Sequence, residues 1–166
     1  MMLAISLGCA CAPTPRSVQI PPSAHSLVGK ASQVVERPDL DGRLRIFPVR
    51  GRLTILDFWA VNCRPCLQAL PTLEALSHQA DISVIGVAAD DDSLAVKRIL
   101  QRHRVTYPNV LDDEHLLAGQ YLVPAVPRTF VIDPSGVIRF VARGNQEDAL
   151  KAVVDALRSE QKDEKR

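Results

Sequence analysis

The stretch Leu53-Thr54-Ile55-Leu56-Asp57-Phe58-Trp59-Ala60-Val61-Asn62-Cys63-Arg64-Pro65-Cys66 decides how the rest of the chain is read. Leu53 to Trp59 is apolar apart from Thr54 and Asp57, and it has the length of a core strand. The next residues turn. Cys63 and Cys66 are three apart, so a helix that begins there carries both on one face. Cys63 then falls at or near the N-cap and Cys66 in the first turn. The unpaired N–H groups and the positive end of the helix dipole favour a thiolate over a thiol at that position.

Downstream, Leu67, Leu70, Leu73 and Leu76 form an apolar stripe at helical spacing. Pro71 interrupts that helix; it removes a backbone hydrogen bond and is expected to kink it. Ile82 to Ala89 is a second core strand. Asp90, Asp91, Asp92 and Ser93 offer N-caps for a helix over Leu94–Arg104. Val110-Leu111 is a short strand and His115–Leu122 a short helix. Arg128–Ile132 and Val137–Val141 form a hairpin around Asp133-Pro134-Ser135-Gly136, whose Pro and Gly mark a type I turn. Asn145 caps a last helix, with Glu147 and Asp148 in its first turn and Leu150, Val153, Val154 and Leu157 on its buried face. Upstream, Val34-Val35 and Leu44–Val49 flank a turn at Asp41-Gly42. Strands separated by helices predict a parallel portion of a sheet, and the last hairpin adds an antiparallel edge. The fold class is α/β: a central mixed β-sheet flanked by helices, with an N-terminal β-hairpin extension.

The 166 residues suffice for one domain with a core, and 46% apolar and 23% charged residues are ordinary for a globular protein. A net charge of +1 gives nucleic acid no electrostatic hold, and 4% aromatic residues leave little for base stacking. Met1 to Leu7 is short and apolar and leads into Gly8-Cys9-Ala10, the pattern of a lipoprotein signal with Cys9 as the acylated residue, preferred over Cys11. No basic residue precedes the run, and the run is short. Pro13, Pro15, Pro21 and Pro22 then punctuate a linker. The expected organisation is a signal-like segment at 1–11, a Pro-rich linker at 12–30, the folded domain at 31–158 and a charged, frayed tail at 159–166.

A Cys-x-x-Cys pair can be a dithiol redox site, half of a zinc site or an accident. Zinc requires about four ligands, yet Cys9 and Cys11 precede the linker, and His25, His78, His103 and His115 share no motif. The strand–turn–helix setting favours redox use. No metal or other cofactor is expected.

Leu53 to Pro71 resembles thioredoxin: an apolar strand, Asp57, Phe58-Trp59-Ala60, Cys63-x-Pro65-Cys66, then Pro71. Pro38-Asp39-Leu40-Asp41-Gly42, Ile85-Gly86-Val87 and Val126-Pro127-Arg128-Thr129-Phe130-Val131-Ile132-Asp133 are similar to the TlpA/ResA-type branch of membrane-anchored, extracytoplasmic thioredoxin-like proteins. The resemblance covers roughly Ala31 to Leu157. It implies a thioredoxin fold and a thiol–disulfide oxidoreductase acting in the reducing direction on protein disulfides. It implies Cys63 as nucleophile, Cys66 as resolving thiol, Asp57 as a buried acid that takes the proton from Cys66, and Pro127 as a cis-proline facing the dithiol. Val126 would offer its backbone to a substrate strand, with Trp59, Asn62 and Arg64 shaping the surroundings. A membrane or soluble thiol–disulfide donor would supply electrons, at a periplasm-facing site anchored by lipid.

Two departures stand out. Asn62 occupies the position where the branch carries Trp, and Arg64 adds a positive charge beside Cys63. A dithiol module presenting copper, or serving apocytochrome c maturation, is a rival reading, but no Met or His cluster accompanies the pair. A thiol peroxidase is another; it requires a Thr-x-x-Cys setting that Val61 and Asn62 do not support.

Overall fold

The structure, a computed structural model, describes residues 23–164. Cys9, Cys11 and the signal-like segment lie outside the described residues. Two strands, β1 (Val35–Pro38) and β2 (Leu44–Phe47), pair antiparallel as a hairpin on their own. The main sheet has five strands. They are β3 (Leu53–Trp59), β4 (Ile82–Ala88), β5 (Asn109–Leu111), β6 (Arg128–Ile132) and β7 (Ile138–Arg143), in the order β5-β4-β3-β6-β7. β3, β4 and β5 run parallel, while β6 and β7 are antiparallel to their neighbours. Helices α1 (Arg64–Ser77), α2 (Ser93–Arg102), α3 (Leu116–Gln120) and α4 (Glu147–Glu164) complete the chain. The expected mixed sheet, hairpin extension and helix order are all present.

β3 lies at the centre, and every one of its residues is buried. A strand covered on both faces has no reason to alternate, which explains its near-continuous apolar run. Leu53 and Ile55 pack on one face with Leu70, Leu73 and Leu76 of α1 and Val153, Val154 and Leu157 of α4. Leu56 and Phe58 pack on the other with Phe47, Leu117, Tyr121 and Phe130.

Both outer strands are covered. At β5, the Leu40 N–H donates to the Asn109 carbonyl (2.9 Å), so the hairpin closes that edge. At β7, the Gly29 N–H donates to the Ile138 carbonyl (2.8 Å) and the Ile138 N–H returns to the Lys30 carbonyl (2.9 Å). Leu27 and Val28 pack against the second core face. The linker expected up to Lys30 therefore gives way to ordered chain by Ser23. Apolar Leu27 and Val28, together with an open strand edge, outweigh the local polar composition.

α1 runs through Pro71 as one helix whose buried leucines lie on both sides of it. One helix departs from expectation. α4 extends to Glu164 rather than fraying at Ser159. Arg139 on β7 pairs with Glu160 at 3.1 Å, and the charged residues occupy the solvated side.

Gly86 of β4 sits beside Asp57 in the sheet and beside Asn109 of β5. A Cβ there would meet the Asn109 side chain, with its Cγ at only 2.6 Å. That side chain is pinned, because its Oδ1 accepts from Trp59 Nε1 (2.9 Å) and its Nδ2 donates to the Tyr107 carbonyl (3.0 Å). Gly86→Ala is expected to lower unfolding free energy by about 2–3 kcal/mol, in the range of an overpacked core. Gly86→Ala combined with Asn109→Ala should destabilise by less than the sum of the two single changes. Denaturant midpoints of the three variants check this.

Candidate active site

β3 ends at Trp59, the chain turns, and α1 starts at Arg64 with Cys63 as its N-cap. Cys63 Sγ accepts the Cys66 backbone N–H at 3.3 Å, so the sulfur serves as the cap atom that Ser or Asp would otherwise supply. Pro65 lies in the first turn, where its missing N–H costs nothing. Cys63 and Cys66 are joined as a disulfide with their Cα atoms 5.2 Å apart. Cys63 is half-buried, while Cys66 is fully buried. Only the first sulfur is open to attack from outside.

The turn is held from the neighbouring strand. Asp90, which follows β4, accepts the Val61 N–H through Oδ2 at 3.0 Å. Burial raises the pKa of that carboxyl, with Asp91 and Asp92 adding to the effect and the Val61 bond opposing it. Asp92 alone of the acidic trio caps α2, accepting from the Leu94 and Ala95 N–H groups.

Asp57 lies in the middle of the central strand at 1% exposure. Its Oδ1 accepts from Thr129 Oγ1 at 2.7 Å, and its Oδ2 is buried without a partner. Burial raises its pKa from 3.8 to about 6, and the Thr129 bond only partly opposes this. Thr129 was not among the residues singled out from sequence. Its role follows from register, since β6 sets Thr129 directly opposite Asp57.

The Val126–Pro127 peptide is cis, and Pro127 is buried. Val126 packs in one cluster with Cys63, Cys66 and Trp59. Asn62 and Arg64 are exposed on either side of Cys63. Trp59 lies beneath the dithiol as core packing near the site. It is fully buried, and its indole N–H is satisfied by Asn109. It supports the site from beneath and presents no surface to a partner. Among the described residues no set of three His, Cys, Asp or Glu side chains is gathered for a metal ion.

The raised pKa of Asp57 has a stability consequence. Between pH 3.8 and about 6 the folded protein holds a proton that the unfolded chain has lost, so stability falls as pH rises through that window. At 1.36 kcal/mol per pK, the full effect above pH 6 is about 3 kcal/mol. Asp57→Asn is therefore expected to be more stable than the wild type at pH 7, by up to that amount. It should also lose the decline between pH 4 and 6, as read from denaturant unfolding of the disulfide form across pH.

Comparison with known proteins agrees with this geometry. The thiol–disulfide oxidoreductase ResA of Geobacillus thermodenitrificans is 28% identical over 121 residues, covering 70% of this chain and 70% of the relative. ResA of Bacillus subtilis is 25% identical over 111 residues, 65% of this chain and 62% of its own. The crystal structure of StoA from Bacillus subtilis superimposes with a TM-score of 0.63 at 24% identity, over 72% of this chain and 94% of that one. A secreted Mycobacterium tuberculosis disulfide oxidoreductase gives a TM-score of 0.67 at 20% identity, over 74% and 96%. At these identities the two structures establish the shared fold. The AhpC/TSA family matches residues 28–141, well over half of the chain, and the protein belongs to that family.

Proposed function

We propose that the protein is a thiol–disulfide oxidoreductase that reduces protein disulfides outside the cytoplasm. The observation that carries this reading is the pairing of a half-buried capping sulfur, Cys63, with a fully buried partner, Cys66, in the same strand–helix unit as a buried acid, Asp57. Relatives named thiol–disulfide oxidoreductase support it.

In the reduced protein, Cys63 is the thiolate that the N-terminus of α1 favours. It attacks one sulfur of the substrate disulfide. A mixed disulfide forms, and the other substrate sulfur leaves as a thiolate that takes a proton from water. Asp57 then accepts the proton of the Cys66 thiol. The new thiolate attacks Cys63 Sγ and expels the second substrate sulfur. Two electrons have passed to the substrate, and the protein is left as the Cys63–Cys66 disulfide. A thiol donor, membrane-bound or soluble, restores the dithiol. Val126 offers main-chain pairing to the incoming segment beside Cys63, and Asn62 and Arg64 form the exposed rim that the partner meets. No cofactor takes part. Acylation at Cys9 would tether the domain to a bacterial membrane on its periplasm-facing side. No helix among the described residues is long and apolar enough to cross one.

The reading predicts catalytic reduction of insulin or of a peptide bearing an oxidised Cys-x-x-Cys-His segment. Cys63→Ser should abolish turnover, and Cys66→Ser should accumulate the mixed disulfide. Asp57→Asn should slow resolution about a hundredfold at pH 7, a normal loss for a positioned base. The reduction potential decides direction. A value near about −270 mV supports a reductant, and one near about −120 mV would reverse the assignment. Stoichiometric copper retention without turnover would point to a binding module instead.

A further inference from the structure

Arg128 follows Pro127 directly, at the end of β6 nearest the dithiol, and is 6% exposed. Its Nε and Nη1 atoms are buried with no hydrogen-bond partner, and no carboxylate forms an ion pair with it among the described residues. Across the sheet its neighbour on β3 is Phe58, and on β7 it is Arg143, which is exposed and likewise without an ion pair among the described residues. His25 packs edge-on against Phe130 at 5.3 Å, two positions along the same strand. Burial, and more weakly the charges of Arg128 and Arg143, hold the His25 imidazole below its ordinary pKa, and in neither protonation state does an imidazole supply the negative charge that the arginines lack. Glu147 and Asp148 line the recess beside Arg143, but neither lies within ion-pair distance of it.

This arrangement costs stability. A buried guanidinium without a partner is penalised by desolvation. Two like charges directly opposite each other on adjacent strands repel. Both costs fall if an anion from outside sits between them, since a guanidinium binds carboxylate through paired N–H groups. Val126, two residues before Arg128, packs against the same buried cluster as Cys63. A polypeptide seated on Val126 therefore passes next to the two arginines.

Building on the oxidoreductase reading, we propose that Arg128 and Arg143 select partner polypeptides that carry an acidic side chain close to the reactive cysteine. Arg143 meets the carboxylate at the surface, and Arg128 supplies an unscreened charge behind it.

The test uses the reduced full-length protein and disulfide peptides that differ only in one residue beside the cysteine, which is Glu, Gln or Lys. The readout is the ratio of single-turnover reduction rates within each protein. The wild type should favour Glu over Gln about tenfold, the worth of one charge-assisted hydrogen bond. Arg128→Gln and Arg143→Gln should each cut that ratio to about threefold or less, and Arg143→Glu should turn the preference toward Lys. A Glu-to-Gln ratio near one in the wild type overturns the proposal. So does a ratio that persists in Arg128→Gln or Arg143→Gln protein shown by circular dichroism to be folded. Peptides reduced at equal rates leave the oxidoreductase reading standing, whereas reduction of no peptide at all removes both.

Discussion

The structure depends on the complete burial of β3. A strand covered on both faces can tolerate a carboxylate only at a high cost, and Asp57 lies in its middle with one oxygen unpartnered. Everything that makes the dithiol useful hangs from that strand. Its end sets the position of the turn, the turn sets Cys63 at the cap of α1, and its flanking strands bring Asp90, Thr129 and Val126 to the same end. Where the sheet withdraws water, it also withdraws the solvent that would otherwise hold Asp57 at an ordinary carboxylate pKa. A buried core and a proton acceptor near neutrality are thus two results of the same packing.

A second polar layer runs beneath the first. Trp59, Asn109 and the Tyr107 carbonyl form a hydrogen-bonded chain across β3 and β5, and Gly86 leaves the gap through which Asn109 reaches. The indole is thereby fixed at full burial, and its bulk supports the turn carrying the cysteines. A large aromatic used as a foundation differs from one used as a contact surface. The motif alone does not separate the two, because both require Trp at the end of the same strand.

Much of the fold is legible in the chain because its signals are local. β3, β4, the hairpin at Pro134 and the start of α1 each carry their own pattern, and the strand–turn–helix order puts Cys63 at or near the cap. The legible part of the candidate site is likewise local for the two cysteines and Asp57, while Pro127 is marked by the resemblance. What the sequence does not carry is register. Thr129 becomes the partner of Asp57, and Asn109 the partner of Trp59, only because the strands align as they do. The docking of Leu27 and Val28 is hidden for a related reason. Four prolines give the segment a linker's composition, and two apolar residues at its end override it by packing on the core face while Gly29 and Lys30 pair with the open edge. The continuation of α4 past Ser159 carries no apolar signal, and its Glu160 pairs with Arg139 of a strand far away in sequence.

The docked segment along β7 also fixes a direction. It runs antiparallel to that strand, from Ser23, whose hydroxyl donates to the Val141 carbonyl, to Ala31 beside Val137. β7 finishes at the end of the sheet where β3 gives way to Cys63, so Ser23 lies toward that end and Ala31 toward the opposite one. The polypeptide therefore joins the domain on its working side. A partner that reaches Cys63 therefore approaches the same end of the sheet that Ser23, the first described residue, occupies.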